Sequence, residues 1–167
     1  IEGAMMAANI APGINRRFSA ERFGVIDRAV WEQERERARS LERPCDDFEA
    51  FGSDIDPKAI EIAKINAKRA GVDGKINFNV ADVSDFKPQT DRGTLICNPP
   101  YGERLLDLTE CEKLYKIMGG IFERKKGWSY SIISPDEEFE KAFGRKADKR
   151  RKLYNGMIKC QLFMYYK

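Results

Sequence analysis

Apolar and polar positions change their period several times along this chain, and each change marks an element. Residues Ile1 to Ala8 have helical composition with no N-cap before them, and Pro12-Gly13 breaks the segment that follows. From Asp27 to Arg43 acids and bases alternate, with Glu32, Arg35, Glu36 and Arg39 at helical pair spacings, which predicts a helix with a solvated charged face. Phe48 to Asp54 alternates like a short strand and runs into Gly52 and an acid. Asp56 suits an N-cap and Pro57 a first turn, so a helix follows, carried by Ala59, Ile60, Ile62, Ala63, Ile65, Asn66 and Ala67 and ended by Gly71. Ile76–Val80, Gly93–Cys97 and Trp128–Ser134 read as three further strands. Between the last two, Glu110 to Glu123 predicts a helix with Leu114, Ile117, Met118 and Ile121 on one face. Leu153 to Ile158 predicts a hairpin turning at Asn155-Gly156 and feeding a strand from Gln161 to Tyr166. Alternating strands and helices closed by such a hairpin place the chain in the α/β class, as a doubly wound, mostly parallel sheet with an antiparallel edge. No repeat or low-complexity tract interrupts it, and its 167 residues suit one domain spanning 1–167.

In sheets of this kind ligands collect at the carboxyl ends of the strands. Three predicted strand ends carry polar chemistry. Asp54 ends the first, where a carboxylate can accept from both hydroxyls of a ribose. Asp82 follows the second and could accept from an adenine amino group. Asn98-Pro99-Pro100-Tyr101 follows the third, directly after the apolar run Thr94 to Cys97. The Asn98 amide oxygen and the Pro99 carbonyl are two acceptors for one exocyclic amine, and Tyr101 is a flat surface beside them.

Composition narrows the chemistry further. The chain has no histidine, which removes the commonest general base and with it most triad hydrolases. Cys45, Cys97, Cys111 and Cys160 are scattered without a Cys-x-x-Cys pair, so free thiols are expected, no metal site is predicted, and the compartment reads as reducing and cytoplasmic. No apolar run approaches the roughly 20 residues of a membrane span, no secretory leader is recognisable, and no membrane partner is expected. The net charge of +3 is too small to prove a nucleic-acid partner. Locally, Lys141, Arg145, Lys146, Lys149, Arg150, Arg151 and Lys152 share their stretch with a single acid, Asp148, which suits RNA phosphates as well as it suits a solvated surface. Phe18, Phe23, Trp31, Phe163 and Tyr165 read as packing aromatics.

Gly52-Ser53-Asp54-Ile55-Asp56-Pro57, Ala81-Asp82 and Asn98-Pro99-Pro100-Tyr101-Gly102-Glu103-Arg104-Leu105 resemble the Rossmann-like S-adenosylmethionine-dependent methyltransferases. The extended Asn-Pro-Pro-Tyr-Gly-Glu-Arg-Leu looks most like the THUMP-associated branch, whose members methylate guanine N2 in large-subunit ribosomal RNA or carry the label of N6-adenine-specific DNA methylases. Asn9 to Arg16 and Lys152 to Gly156 are also similar to that branch, so the resemblance runs over nearly the whole chain. It implies S-adenosyl-L-methionine as cofactor, with Asp54, Ile55, Asp82, Val83 and Asn98 in contact with it. It also implies RNA, most plausibly ribosomal, as partner. One departure stands out. The family's glycine-rich cofactor loop, the strand before it and the THUMP region are missing, so the expectation is a domain truncated at its N-terminus and poor at binding cofactor alone.

The implied reaction needs few groups. Acceptors at Asn98 and Pro99 would localise the amine lone pair, electrostatic help of the kind that commonly dominates catalysis. Tyr101 would stack on an extruded base, and Pro100 and Arg104 would contact the substrate. Adenine-N6 methylation of DNA, glutamine methylation of a protein and a non-catalytic RNA-binding module are the rival readings.

Overall fold

The structure is a computed structural model, and it describes residues 1–101, 108–122 and 126–166. The chain divides into two compact units, Ile1–Asp82 and Val83–Lys167, each with a sheet of its own.

The first unit holds α1 (Glu2–Ala7), α2 (Arg28–Ser40), β1 (Ala50–Asp54), α3 (Pro57–Arg69) and β2 (Ile76–Val80). Asp27 caps α2 by accepting from the Ala29 N–H at 2.8 Å, and Asp56 caps α3 by accepting from the Lys58 N–H at 2.9 Å. Pro57 occupies the first turn, and Gly71 with φ +73° carries the chain out of α3. β1 and β2 pair in parallel from Ala50↔Ile76 to Asp54↔Val80, so their carboxyl ends lie side by side. The core gathers Ala4, Ala67, Val72 and Ile76, with Met5, Phe48 and Phe78 packed against it. Phe48 therefore belongs to the core although it precedes the strand expected to contain it. On α3, Ile60 and Ala67 are buried while Ile62 and Ile65 are exposed.

Two expectations for this unit change. Arg35 does not pair along a solvated face of α2. Its guanidinium donates to the Ile14 carbonyl at 2.8 Å and the Arg16 carbonyl at 2.7 Å, and it also binds Glu21, fastening the preceding loop to the helix. The Phe18 N–H and Arg35 hold the Glu21 carboxyl below the usual carboxylate range, against some opposition from desolvation. Phe18 stacks on Trp31, but Phe23 is 70% exposed and is not a packing aromatic.

The second unit holds β3 (Gly93–Cys97), α4 (Leu108–Ile121), β4 (Trp128–Ser134), α5 (Phe139–Phe143), β5 (Lys149–Asn155) and β6 (Ile158–Tyr165). Its sheet runs β3-β4-β6-β5, with β3–β4 parallel and both β4–β6 and β6–β5 antiparallel. The parallel pairs and the antiparallel C-terminal hairpin are those expected of the α/β class. The core is largely aromatic: Phe139 and Phe163 stack at 4.5 Å, Phe143 and Tyr165 at 4.8 Å, and Phe122 and Tyr130 at 5.2 Å. The buried stripe of α4 is Cys111, Tyr115, Met118 and Phe122, whereas Ile117, expected inside, is 47% exposed. The buried Ser134 hydroxyl is satisfied by the Tyr115 hydroxyl at 3.2 Å and the Asp136 N–H at 3.1 Å.

The hairpin turn is displaced by one residue. Asn155 pairs with Ile158, so the two-residue loop is Gly156-Met157. Gly156 has φ +62° and Met157 does not have a positive φ, which is the signature of a type II′ turn and puts glycine first in the loop. Asn155 is thereby the last residue of β5, and its side chain is released from turn duty.

Candidate functional site

The first unit presents its acids where the sequence places them. Asp54 is the last residue of β1 and is exposed. Its Oδ1 accepts from the Asp56 N–H at 2.9 Å, which fixes the carboxylate and occupies one of its several acceptor positions. Ile55, directly after it, is 69% exposed. Asp82 lies half-buried two residues beyond β2, and the Ala81 N–H donates to the Asp54 carbonyl at 3.0 Å. An anchored carboxylate and an exposed apolar side chain at one strand end suit a ribose and the flat face of a nucleobase.

The second unit presents the tetrapeptide. β3 pairs along its whole length with β4, ending at Cys97↔Ile132, and delivers Asn98 at its carboxyl end. Asn98 is exposed, Pro99 is buried, and Pro100 and Tyr101 are half-buried. Two elements hold this segment. From α4, the buried Cys111 thiol donates to the Pro100 carbonyl at 3.5 Å. From the end of β5, the Asn155 amide Nδ2 donates to the Tyr101 hydroxyl oxygen. Burial pushes the Cys97 thiol up to about 11 and the Tyr115 phenol up to about 12. Neither is an ionised nucleophile near neutral pH, so the segment is left with acceptors and a ring.

The remaining expected residues divide. Val83, expected beside the cofactor, packs against the aromatic core of the second unit, and its side chain is accounted for there. Arg104 lies outside the described residues. The basic cluster splits more sharply. The Arg150 guanidinium binds both oxygens of Glu140 and lies over the Phe163 ring. Burial opposes the Glu140 charge, but Arg150 and the Ala147 N–H outweigh it and hold that carboxyl low. Arg145 donates to the Phe122 carbonyl at 2.6 Å and lies over the Phe143 and Tyr165 rings, and Lys141 pairs with Glu138 at 3.7 Å. Arg145 and Arg150 thereby serve the fold, while Lys141 makes only an exposed surface pair. Lys149, Arg151 and Lys152 stay exposed on the edge strand β5, with Lys152 over the exposed Tyr154 ring. Asn155 and Cys111 support the tetrapeptide, a role that sequence reasoning assigned to neither. Among the described residues, no group of three His, Cys, Asp or Glu side chains is placed to hold a metal ion.

With this geometry in hand, the comparisons with known proteins are decisive. The family model of the RMKL-like methyltransferase domain (UPF0020) matches residues 1–163. The chain belongs to this family. It is 40% identical over 166 residues to YpsC of Bacillus subtilis, named a putative RNA methyltransferase, and covers 43% of that protein. It is 41% identical over 170 residues to the ribosomal RNA large subunit methyltransferase K/L of Shewanella baltica, of which it covers 24%. Both alignments take in 99% of this chain. Among solved structures, SMU.472, a putative methyltransferase complexed with SAH, superposes with a TM-score of 0.91 at 42% identity. A predicted N6-adenine-specific DNA methylase from Listeria monocytogenes superposes with a TM-score of 0.87 at 39% identity. The chain spans 44% of the first of these structures and 42% of the second. The methyltransferase fold expected from the tetrapeptide and strand-end acids is thus the observed one.

Proposed function

We propose that this RMKL-like domain transfers a methyl group from S-adenosyl-L-methionine to an exocyclic base amine of RNA, guanine N2 of large-subunit ribosomal RNA. The observation that carries the reading is Asn98-Pro99-Pro100-Tyr101 at the open end of a parallel strand, braced by Cys111 and Asn155. The name of the Shewanella relative supports ribosomal RNA, and the SAH complex of SMU.472 supports the cofactor.

Asp54 would hold the ribose hydroxyls, Ile55 would lie against the adenine, and Asp82 would accept from the adenine amino group. When bound, the cofactor supplies an electrophilic methyl group on a sulfonium. The protein's own part is electrostatic. The Asn98 oxygen and the Pro99 carbonyl accept the two amine hydrogens, which favours a pyramidal nitrogen with a localised lone pair. Two prolines stiffen the backbone that holds the second acceptor. The amine proton departs to solvent, so no histidine is required. Tyr101 stacks on the extruded base, with Pro100 and Arg104 as further substrate contacts.

The test uses large-subunit ribosomal RNA from a strain lacking the gene, incubated with labelled cofactor and the protein expressed from its own full gene. Labelled N2-methylguanosine is the expected product on nuclease digestion and mass spectrometry. Labelled N6-methyladenosine would move the assignment to adenine, the reading that the name of the Listeria structure favours. Absence of any transfer would leave a non-catalytic RNA-binding module.

RNA contact is assigned to Lys149 and Arg151, because Arg150 and Arg145 are engaged inside the protein. Reversing both to glutamate is expected to weaken RNA binding and make its dependence on log salt shallower by roughly 1.4, at about 0.7 per cation lost on single strands. An unchanged slope would remove β5 from the RNA interface.

A further inference from the structure

We propose that Asn155 is a positioning residue for methyl transfer, aiming the Tyr101 ring through its hydroxyl; this rests on the amine-gripping role given to Asn98-Pro99-Pro100-Tyr101. Three observations lead to it. The Asn155 amide donates to the Tyr101 hydroxyl oxygen across 54 positions of sequence, so the bond is a tertiary link and not a local turn contact. The donor is itself rigidly placed: Asn155 closes the β5–β6 ladder opposite Ile158, and the Gly156-Met157 loop takes over the reversal. The acceptor lies at the far end of a ring whose backbone follows two prolines, with the Pro100 carbonyl held by Cys111. The backbone of Tyr101 is thus fixed from one side, and the tip of its ring from the other.

A tyrosine ring on a fixed backbone still turns about χ1 and χ2. A ring used as a stacking platform must be held in one place, and a hydrogen bond at the hydroxyl, the side-chain atom farthest from Cα, is the longest lever against swing about χ1. Misplacement of about 1 Å can cost a positioned reaction as much as 100-fold, so loss of this lever should be read in turnover. The link also ties the platform to the strand carrying the exposed cations. By strand alternation Arg151 and Lys149 project to the same side of β5 as Asn155. RNA seated along that side would press on the residue that orients the ring.

The experiment is a double-mutant cycle of Asn155→Ala and Tyr101→Phe in the full protein, with ribosomal RNA and labelled cofactor. Asn155→Ala is expected to lower kcat about tenfold, leaving the KM for cofactor and the thermal midpoint unchanged. Tyr101→Phe keeps the ring and removes its hydroxyl, so the double variant should be no slower than the worse single variant. A second readout needs no turnover: an oligoribonucleotide carrying 2-aminopurine, whose emission falls when its base stacks. Wild-type protein should quench it, and Asn155→Ala should restore the emission with affinity changed less than twofold. Multiplying rate effects, or equal quenching by Asn155→Ala and wild type, would overturn the role of Asn155 while leaving the amine-gripping reading intact. A wild-type protein that neither quenches nor transfers would overturn both.

Discussion

Replacing Asn98 by alanine is expected to lower kcat by about 100- to 1,000-fold while leaving the affinity for S-adenosylhomocysteine within about twofold, the range seen when one preorganised polar partner of a developing charge is removed. The reasoning follows from place and chemistry. Asn98 is exposed at the carboxyl end of β3, and the residue before it sits in surroundings dry enough to lift a thiol to about 11. The Asn98 side-chain oxygen is open to an incoming base. Its hydrogen bond to an amine strengthens as the nitrogen takes up positive charge, and an interaction gained mainly in the transition state appears in kcat. Alanine removes the acceptor without touching Asp54 or Ile55, so cofactor binding should survive. Asn98→Asp keeps an oxygen of the same reach and should retain more activity than Asn98→Ala. Turnover by stopped assay and affinity by calorimetry on the same preparations decide the matter. Parallel loss of both would mean that Asn98 serves cofactor binding or folding and not the amine.

The sequence pattern was most legible where side-chain alternation and strand length agree. Ile76–Val80, Gly93–Cys97 and Trp128–Ser134 have the bounds expected, because each is a short alternating or largely apolar stretch closed by turn residues at both ends. Asp54, Asp56, Asn98 and Gly71 were legible for a related reason: a cap, a strand end or an αL residue has a local cause. What sequence spacing does not reveal is which partner a polar side chain finds across the fold. Arg35 has the spacing of a helical surface pair, yet it binds two carbonyls of the preceding loop. Arg150 belongs to a basic run, yet Glu140 takes it and the run loses its continuity as a phosphate track. Asn155 looked like half of an Asn-Gly turn, and a shift of one residue made it a tertiary donor to Tyr101. On α4, Leu114, Met118 and Ile121 meet the core as their spacing predicts, while Ile117 does not, because the buried Cys111 and Tyr115 rotate the inward face away from it.

The same helix yields the largest expected change in stability, from two adjacent glycines that sequence alone cannot tell apart. Gly119→Ala is expected to destabilise the protein by about 2–3 kcal/mol, although alanine is the better helix former by about 1 kcal/mol. A Cβ on Gly119 would lie 1.9 Å from the Phe143 carbonyl oxygen and 2.8 Å from its carbon. Those atoms are backbone at the last residue of α5, where Gly144 turns the chain with φ +79° and the Phe143 ring stacks on Tyr165. Neither atom can swing away as a side-chain tip could, so α4 and α5 must separate and the stack of Phe143 on Tyr165 must loosen. Gly120 faces open space, with nothing within 4 Å of the corresponding position. Gly120→Ala should therefore stabilise by about 0.5–1 kcal/mol through a less flexible unfolded chain. Denaturant titrations of the two variants should move in opposite directions from wild type. At roughly 2–4 °C per kcal/mol for a chain of this size, thermal midpoints should separate by about 5–16 °C. If both variants shift the same way, then α4 and α5 do not meet at Gly119 as described, and the packing that carries Cys111 to the tetrapeptide would need to be redrawn.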